Sequence, residues 1–340
     1  MLELKNINLY VYPMVPVERM GSQNSYVHDL SRALGQFVDV TNYNDFSNYG
    51  ILNAFRYLWK ADLFYFNWLE NIPHLRFGKF QFFFACMLLG ILKILGKKIV
   101  WTMHNKTPHA EDSRLSNFIF NFLARHSNIV VIHSSESKQI LNDRQSNSQV
   151  FYYFHPIKWE GGSHGQRISE PAFDILIWGT MAPYKGVLEF LEGQAENLSD
   201  FKIKIIGKFL NTDYFGKVNA FKSVNISIEN RFINDHEIGQ LHRQARFILF
   251  PYLDQSVLNS GALVKSLCYM NRIIAPNFGA FADLSNLGLV LTYNSTNDLK
   301  QILDAEDLVF DTKLIEQFCK QNSWDSFAFE LTEKMKSLFI

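Results

Sequence analysis

An α/β chain with two doubly wound, parallel-sheet domains is what this sequence predicts, on three observations. Short apolar runs of strand type alternate with helical patterns along the first half. A polar, glycine-rich stretch at 156–172 then breaks the pattern. Beyond it the same alternation starts again, and 340 residues give room for two domains at roughly 100–200 residues each. Strands that alternate with helices pair in parallel and bury both sheet faces under the helices.

The first domain is expected at 1–155, with strands at 7–12, 38–41, 63–66, 98–102 and 128–132. Helical patterns fall between them at 26–34, 53–59, 80–95, 114–124 and 135–142. After the 156–172 linker the second domain is expected at 173–322, with strands at 173–178, 201–206, 224–229, 247–251 and 273–275. Its helices are expected at 187–197, 235–244, 261–269 and 296–302. A final helix at 323–340 is long enough to cross back to the first domain. Open α/β sheets bind ligands at the carboxyl ends of their strands, so the loops there carry the candidate chemistry.

Composition narrows the function. The formal net charge is zero, against the strongly basic face of a nucleic-acid binder, so no nucleic-acid partner is expected. The zero hides an asymmetry: residues 1–150 hold 15 Lys+Arg and 11 Asp+Glu, leaving 18 and 22 of the 33 of each for the remainder. Cys86, Cys268 and Cys319 form no disulfide or zinc pattern, which fits a reducing, cytoplasmic setting. The start of the chain lacks the basic and apolar regions of a signal peptide. The run 80–95 (FQFFFACMLLGILKIL) is strongly apolar but shorter than the ~20 residues that span a bilayer. It reads as a buried helix, or as one lying in a membrane interface with its lysines at the rim.

Five loops stand out. Trp178-Gly179-Thr180-Met181-Ala182-Pro183-Tyr184-Lys185-Gly186 lies between a strand and a helix, where a lysine can pair with phosphate or simply face solvent. Ser260-Gly261 opens an apolar helix after Pro251; Ser260 can cap it or donate to a phosphate, and helix N-termini suit anions. Pro276 to Asp283 reads as a glycine-bearing loop. In the first domain His104 follows an apolar strand, with Asn105 beside it, and His133 holds the same place after the next strand. Either imidazole can order its loop or face a substrate. Glu111 is a loop carboxylate open to the same reading. No metal is expected: Asp-x-Asp is absent and the histidines lack zinc spacing.

The order of these pieces resembles the nucleotide-binding half of family 4 glycosyltransferases of the GT-B type, in particular members that build bacterial surface polysaccharides. The resemblance rests on Gly179…Lys185-Gly186, Ile205-Ile206-Gly207, Arg231-Phe232-Ile233, Phe250-Pro251-Tyr252, Ser260-Gly261 and Gly279…Asp283. In the first half Trp101-Thr102-Met103-His104-Asn105 and Ile132-His133-Ser134 are similar to the acceptor-side loops of that group. It implies two Rossmann-like domains facing a central cleft, and a metal-independent, retaining hexosyl transfer from a nucleoside diphosphate sugar, with no further cofactor. The acceptor implied is a glycan or a lipid-linked glycan at the inner leaflet. By resemblance, Lys185, Gly186, Ser260 and Gly261 hold the donor diphosphate, with Gly21 and Ser22 closing over it. Gly207, Arg231, Phe232, Ile233, Lys265 and Asp283 surround the base and ribose. His104 is the catalytic candidate, with Asn105, His133 and Glu111 on the acceptor side. The chain departs from the family in three places: Ala182 where an arginine is frequent, and Lys265 and Asp283 where glutamates are usual. Ala182 and Lys265 keep open the reading of a catalytically weak scaffold of a polysaccharide assembly complex, and the double-Rossmann plan that of a sugar-nucleotide epimerase, which would need a pair of acid/base carboxylates that the sequence does not show.

Overall fold

A computed structural model describes residues 7–14, 25–46, 49–106, 114–159, 170–194, 198–253, 258–305 and 311–340. The chain divides into two compact units. Unit 1 comprises Met1–Pro156 with Asn322–Ile340, and unit 2 comprises Ile157–Gln321.

Unit 1 holds a six-stranded sheet: β1 (Asn8–Tyr12), β2 (Asp39–Val40), β3 (Leu63–Asn67), β4 (Lys98–Met103), β5 (Ile129–Ile132) and β6 (Gln149–Tyr152). The order is β2-β1-β3-β4-β5-β6, and every pairing is parallel. Its helices are α1 (Tyr26–Leu34), α2 (Gly78–Ile94), α3 (Arg114–His126) and α4 (Glu136–Asp143). Side-chain direction alternates along each strand, so β3 and β4 feed two cores. Leu63, Tyr65 and Val100 join Leu30 of α1 and Phe327 and Leu331 of the last helix in one cluster. On the other side Trp101 meets Phe120 of α3 edge-on at 5.0 Å between ring centroids.

Unit 2 repeats the plan with β7 (Phe173–Trp178), β8 (Ile203–Gly207), β9 (Ile226–Asn230), β10 (Ala245–Leu249), β11 (Ile273–Pro276) and β12 (Leu291–Tyr293). Its order is β12-β11-β10-β7-β8-β9, again all parallel. The helices are α5 (Val187–Gln194), α6 (Thr212–Asn219), α7 (Asp235–Gln244), α8 (Gly261–Leu267), α9 (Gly279–Asn286), α10 (Thr296–Asp304) and α11 (Thr312–Gln321). The chain then returns to unit 1 as α12 (Trp324–Lys336), capped by the Ser323 side chain, which accepts from the Ser326 N–H.

Several elements differ from the sequence reading. The stretch read as a helix at 53–59 is a 3-10 helix, Gly50–Tyr57. The stretch read as a loop at 276–283 is mostly α9, because Ala280, Phe281 and Leu284 share one buried face. Strands β6 and β12 carry no long apolar run, since they close the edges of their sheets and are largely half-buried or exposed. Helices α6 and α11 are short, and the sequence reading does not place them.

Candidate functional sites

Strand order marks one position in each sheet. In unit 2 the chain runs outward from β7 through β8 to β9, then restarts on the other side of β7 with β10. The carboxyl ends of β7 and β10 therefore flank the reversal, which is where open α/β sheets take ligands. Lys185 and Gly186 lie on the loop after β7, and Ser260 ends the loop after β10.

The local geometry explains the residue types. Lys185 ends a one-turn 3-10 helix, Pro183–Lys185, and Gly186 follows in the left-handed region at φ 65°. A Cβ at Gly186 would stand 2.1 Å from the Pro251 carbonyl oxygen, so the β7 and β10 loops touch only because that residue is glycine. Gly207 serves a similar close approach, since a Cβ there would meet the Gly179 carbonyl oxygen at 1.7 Å.

Lys185 is buried. Its ammonium lies 5.0 Å from the centroid of the Tyr252 ring and close above Gly179, where a Cβ would stand 3.3 Å from the Lys185 Nζ. Among the described residues no carboxylate pairs with it. Burial pushes its pKa below the usual lysine range. A desolvated cation with a ring for its described neighbour is stabilised by an incoming anion.

Ser260 is the N-cap of α8: its Oγ accepts from the Leu263 N–H at 3.3 Å and lies 2.9 Å from the Tyr252 hydroxyl. The serine thus already carries the capping role, which leaves the backbone at Gly261 as the donor such a site would offer. Behind the loops runs a buried polar chain. His242 Nδ1 donates to the Ile238 carbonyl at 2.7 Å, so Nε2 accepts from the Ser266 hydroxyl at 2.9 Å, and Ser266 accepts from Trp178 Nε1 at 2.9 Å. It ties α7, α8 and β7 into one rigid edge, and burial drives the His242 pKa down to about 3.

The proposed base and ribose residues are spread along the same edge. Phe232 is exposed just past β9 and Ile233 is buried. Arg231 is held by Glu229 at 2.7 Å and by a forked contact with Glu237. Lys265 pairs with Asp235 at 2.5 Å, so its ammonium is directed to α7. Asp283 lies on α9 rather than on a loop.

In unit 1 the order reverses between β1 and β3. Gly21 and Ser22, on the segment after β1, lie outside the described residues, as does Glu111. What the structure does place there is a knot of rings around Tyr26, the first residue of α1. His104, His133, His155, Trp68 and Trp324 all lie within 5.9 Å of the Tyr26 ring centroid. The three histidines follow β4, β5 and β6 in turn.

Their bonding separates their roles. His133 is in the core: Nδ1 donates to the Tyr153 carbonyl at 2.8 Å and Nε2 accepts from the Tyr26 hydroxyl at 2.8 Å. Both ring nitrogens are engaged, and desolvation puts its pKa at about 3. An acceptor contact through that ring would have to break one of these bonds, so its place is behind Tyr26 rather than against a substrate. His155 donates through Nδ1 to the Pro156 carbonyl at 2.9 Å, and burial lowers its pKa to about 4. His104 is half-buried and stacks on Trp68 at 4.1 Å with 16° between the planes. The Asn67 amide donates to the Tyr12 carbonyl at 3.3 Å, so its Oδ1 faces His104 Nε2 at 3.2 Å as an acceptor. His104 Nε2 therefore donates to the Asn67 oxygen. Asn105 is buried, and its Nδ2 has no partner among the described residues.

Trp68, Asn67, Tyr26 and His155 were not singled out by the sequence. Trp68 bears the one signal that a structure alone can give: it sits at φ 51°, a left-handed conformation uncommon for a bulky residue, at the carboxyl end of β3.

No protein-family profile and no curated protein matches the sequence. Solved structures do match its fold. HepE of Anabaena in complex with UDP and glucose gives a TM-score of 0.69 at 12% identity, over 98% of this chain and 100% of HepE. The complex of HepE with UDP-glucose gives 0.71 at 11%, over 97% and 99%. Sucrose-phosphate synthase from Thermosynechococcus elongatus gives 0.60 at 13%, over 85% of this chain and 76% of the synthase. At these identities the likeness speaks for architecture: this chain has the two-domain, Rossmann-like α/β fold of the GT-B type.

Proposed function

We propose that the chain is a glycosyltransferase that moves a hexosyl unit from a nucleoside diphosphate sugar to a hydroxyl of a glycan or lipid-linked glycan, in surface polysaccharide synthesis. The observation that carries this reading is Lys185: a buried cation, without a described carboxylate partner, at the point where the sheet order of unit 2 reverses. A diphosphate is the anion that such a lysine and the backbone at Gly261 would hold together. HepE structures contain UDP and UDP-glucose, which makes a UDP-sugar the first donor to test.

In this reading charge develops on the leaving diphosphate. Lys185 neutralises it without a metal, and an exposed Phe232 offers a face for the base. Transfer with retention lets the departing phosphate take the acceptor proton. His104, bonded to Asn67 and stacked on Trp68, is the proton acceptor in an inverting reaction. NMR of the product anomer separates the two.

The deciding experiment is a thermal-shift screen with UDP, GDP, dTDP and CMP and their sugars, with and without EDTA. Wild type is expected to rise with one nucleoside diphosphate, by ~2.7 kcal/mol of stabilisation at a hundred times its Kd, unaffected by EDTA. Lys185→Ala removes a charge-assisted contact worth ~1.5–3 kcal/mol, so affinity falls tenfold or more. The same variant without ligand is expected to melt no lower than wild type, because a buried cation is gone. The Lys265–Asp235 pair, which turns a ribose-side candidate toward α7, favours the scaffold reading as the alternative. No shift with any nucleotide would establish it.

A further inference from the structure

Helix α2 buries one face and leaves the opposite one bare. Ala85, Leu88, Leu89 and Leu92 point into unit 1. Phe80, Phe83, Met87 and Ile94 are exposed. Their spacing of three, four and seven residues sets them in a single stripe along the helix. Phe77 before the helix and Phe118 of α3 extend it, both more than half exposed. An apolar surface of this extent marks a contact site.

Within residues 71–110 the charged side chains have one sign. Arg76, Lys79 and Lys93 are exposed beside the stripe, and residues 71–110 contain no aspartate or glutamate. A second copy of the chain would bring lysines against lysines with no carboxylate from this segment to pair them, which argues against self-association. Nor is α2 a spanning segment: no described helix is long and apolar enough to cross a membrane. An amphipathic face with aromatic and aliphatic side chains and cations along its rim fits a helix lying in the boundary between headgroups and acyl chains of an anionic bilayer.

We propose that α2 docks unit 1 on an anionic lipid surface, with Phe80, Phe83 and Met87 inserted and Lys79 and Lys93 against the headgroups. The inference does not rest on the donor reading, because it uses no residue of unit 2.

The test is flotation of the full-length protein with vesicles of phosphatidylcholine alone and of equal parts phosphatidylcholine and phosphatidylglycerol. Binding is expected only with phosphatidylglycerol, and it is expected to fall as salt rises. Lys79→Ala and Lys93→Ala should each weaken it roughly fivefold, at about 1 kcal/mol per cation near the surface. Phe80→Ser with Phe83→Ser should weaken it at least about tenfold, by removing the inserted rings. These side chains are exposed, so folding is checked by an unchanged melting temperature, and the nucleotide response reports separately on unit 2. Absence of binding, equal binding to both vesicles, or full binding by the double variant would overturn the proposal. So would a concentration-dependent dimer, without lipid, that the double variant abolishes.

Discussion

Glu70 shows what a single buried carboxyl does to this fold. It follows β3 in the 3-10 helix Leu69–His74, and its Oε2 accepts from Trp101 Nε1 at 3.3 Å. Its Oε1 has no partner among the described residues, and burial raises its pKa from 4.5 to about 7. Below the unfolded value both states hold the proton and nothing is lost. Between 4.5 and 7 the unfolded chain releases this proton while the folded state keeps it, so stability falls across that window and levels off above it. Glu70→Gln keeps an acceptor for Trp101 and removes the titration. Wild type is expected to lose on the order of 3 kcal/mol relative to this variant between pH 4.5 and neutrality and above, as read by urea unfolding at pH 4.5, 6 and 8. Parallel curves would show that Glu70 is not the titrating group. Glu70 was invisible in the sequence because nothing marks a glutamate as buried until the 3-10 helix turns it under Trp101. His104, Lys185 and Ser260 were visible because each stands directly after a strand or before a helix.

At the level of elements, legibility followed burial. The apolar central strands β3, β4, β7 and β10 announce themselves as unbroken runs, buried on both faces. The edge strands β6 and β12 do not, and α9 was hidden by a Gly279 that reads as loop punctuation but opens a helix at φ 54°. Helix α12 follows unit 2 in sequence but belongs to unit 1. Phe327, Ala328, Leu331 and Met335 are fully buried in the unit 1 cluster, and Phe327 packs on Tyr153 at 5.2 Å between centroids. Phe327→Ala is expected to cost about 3–5 kcal/mol. Because Phe327 also lies 6.1 Å from His133, the loss should loosen the ring knot around Tyr26. Amide exchange in β5 and β6 is expected to rise, while exchange in β7 to β10 stays as in wild type. Equal acceleration in both sheets would mean that α12 does not act on unit 1 alone.

Across the whole molecule, acid is the weak side. His133, His155 and His242 are held near pKa values of 3, 4 and 3, against an ordinary 6.5. Below 6.5 the unfolded chain takes protons that the folded chain refuses, so stability is complete above that pH and is lost as pH falls toward the folded values. At pH 5 each contributes a loss on the order of 2 kcal/mol. Glu70 works in the opposite sense between 4.5 and 7, but one group is outweighed by three. The unfolding midpoint is expected to drop steeply from pH 7 to pH 5, with proton uptake on unfolding; a flat profile would rule out neutral core histidines. The return of α12 to unit 1 carries a consequence for synthesis. Unit 2 has all of its strands once residue 293 is made, whereas unit 1 lacks Trp324, Phe327 and Leu331 until after it. The domain that begins first on the ribosome is therefore the one finished last, and its β1–β5 face stays open to solvent or chaperone for as long as the rest of the chain takes to emerge.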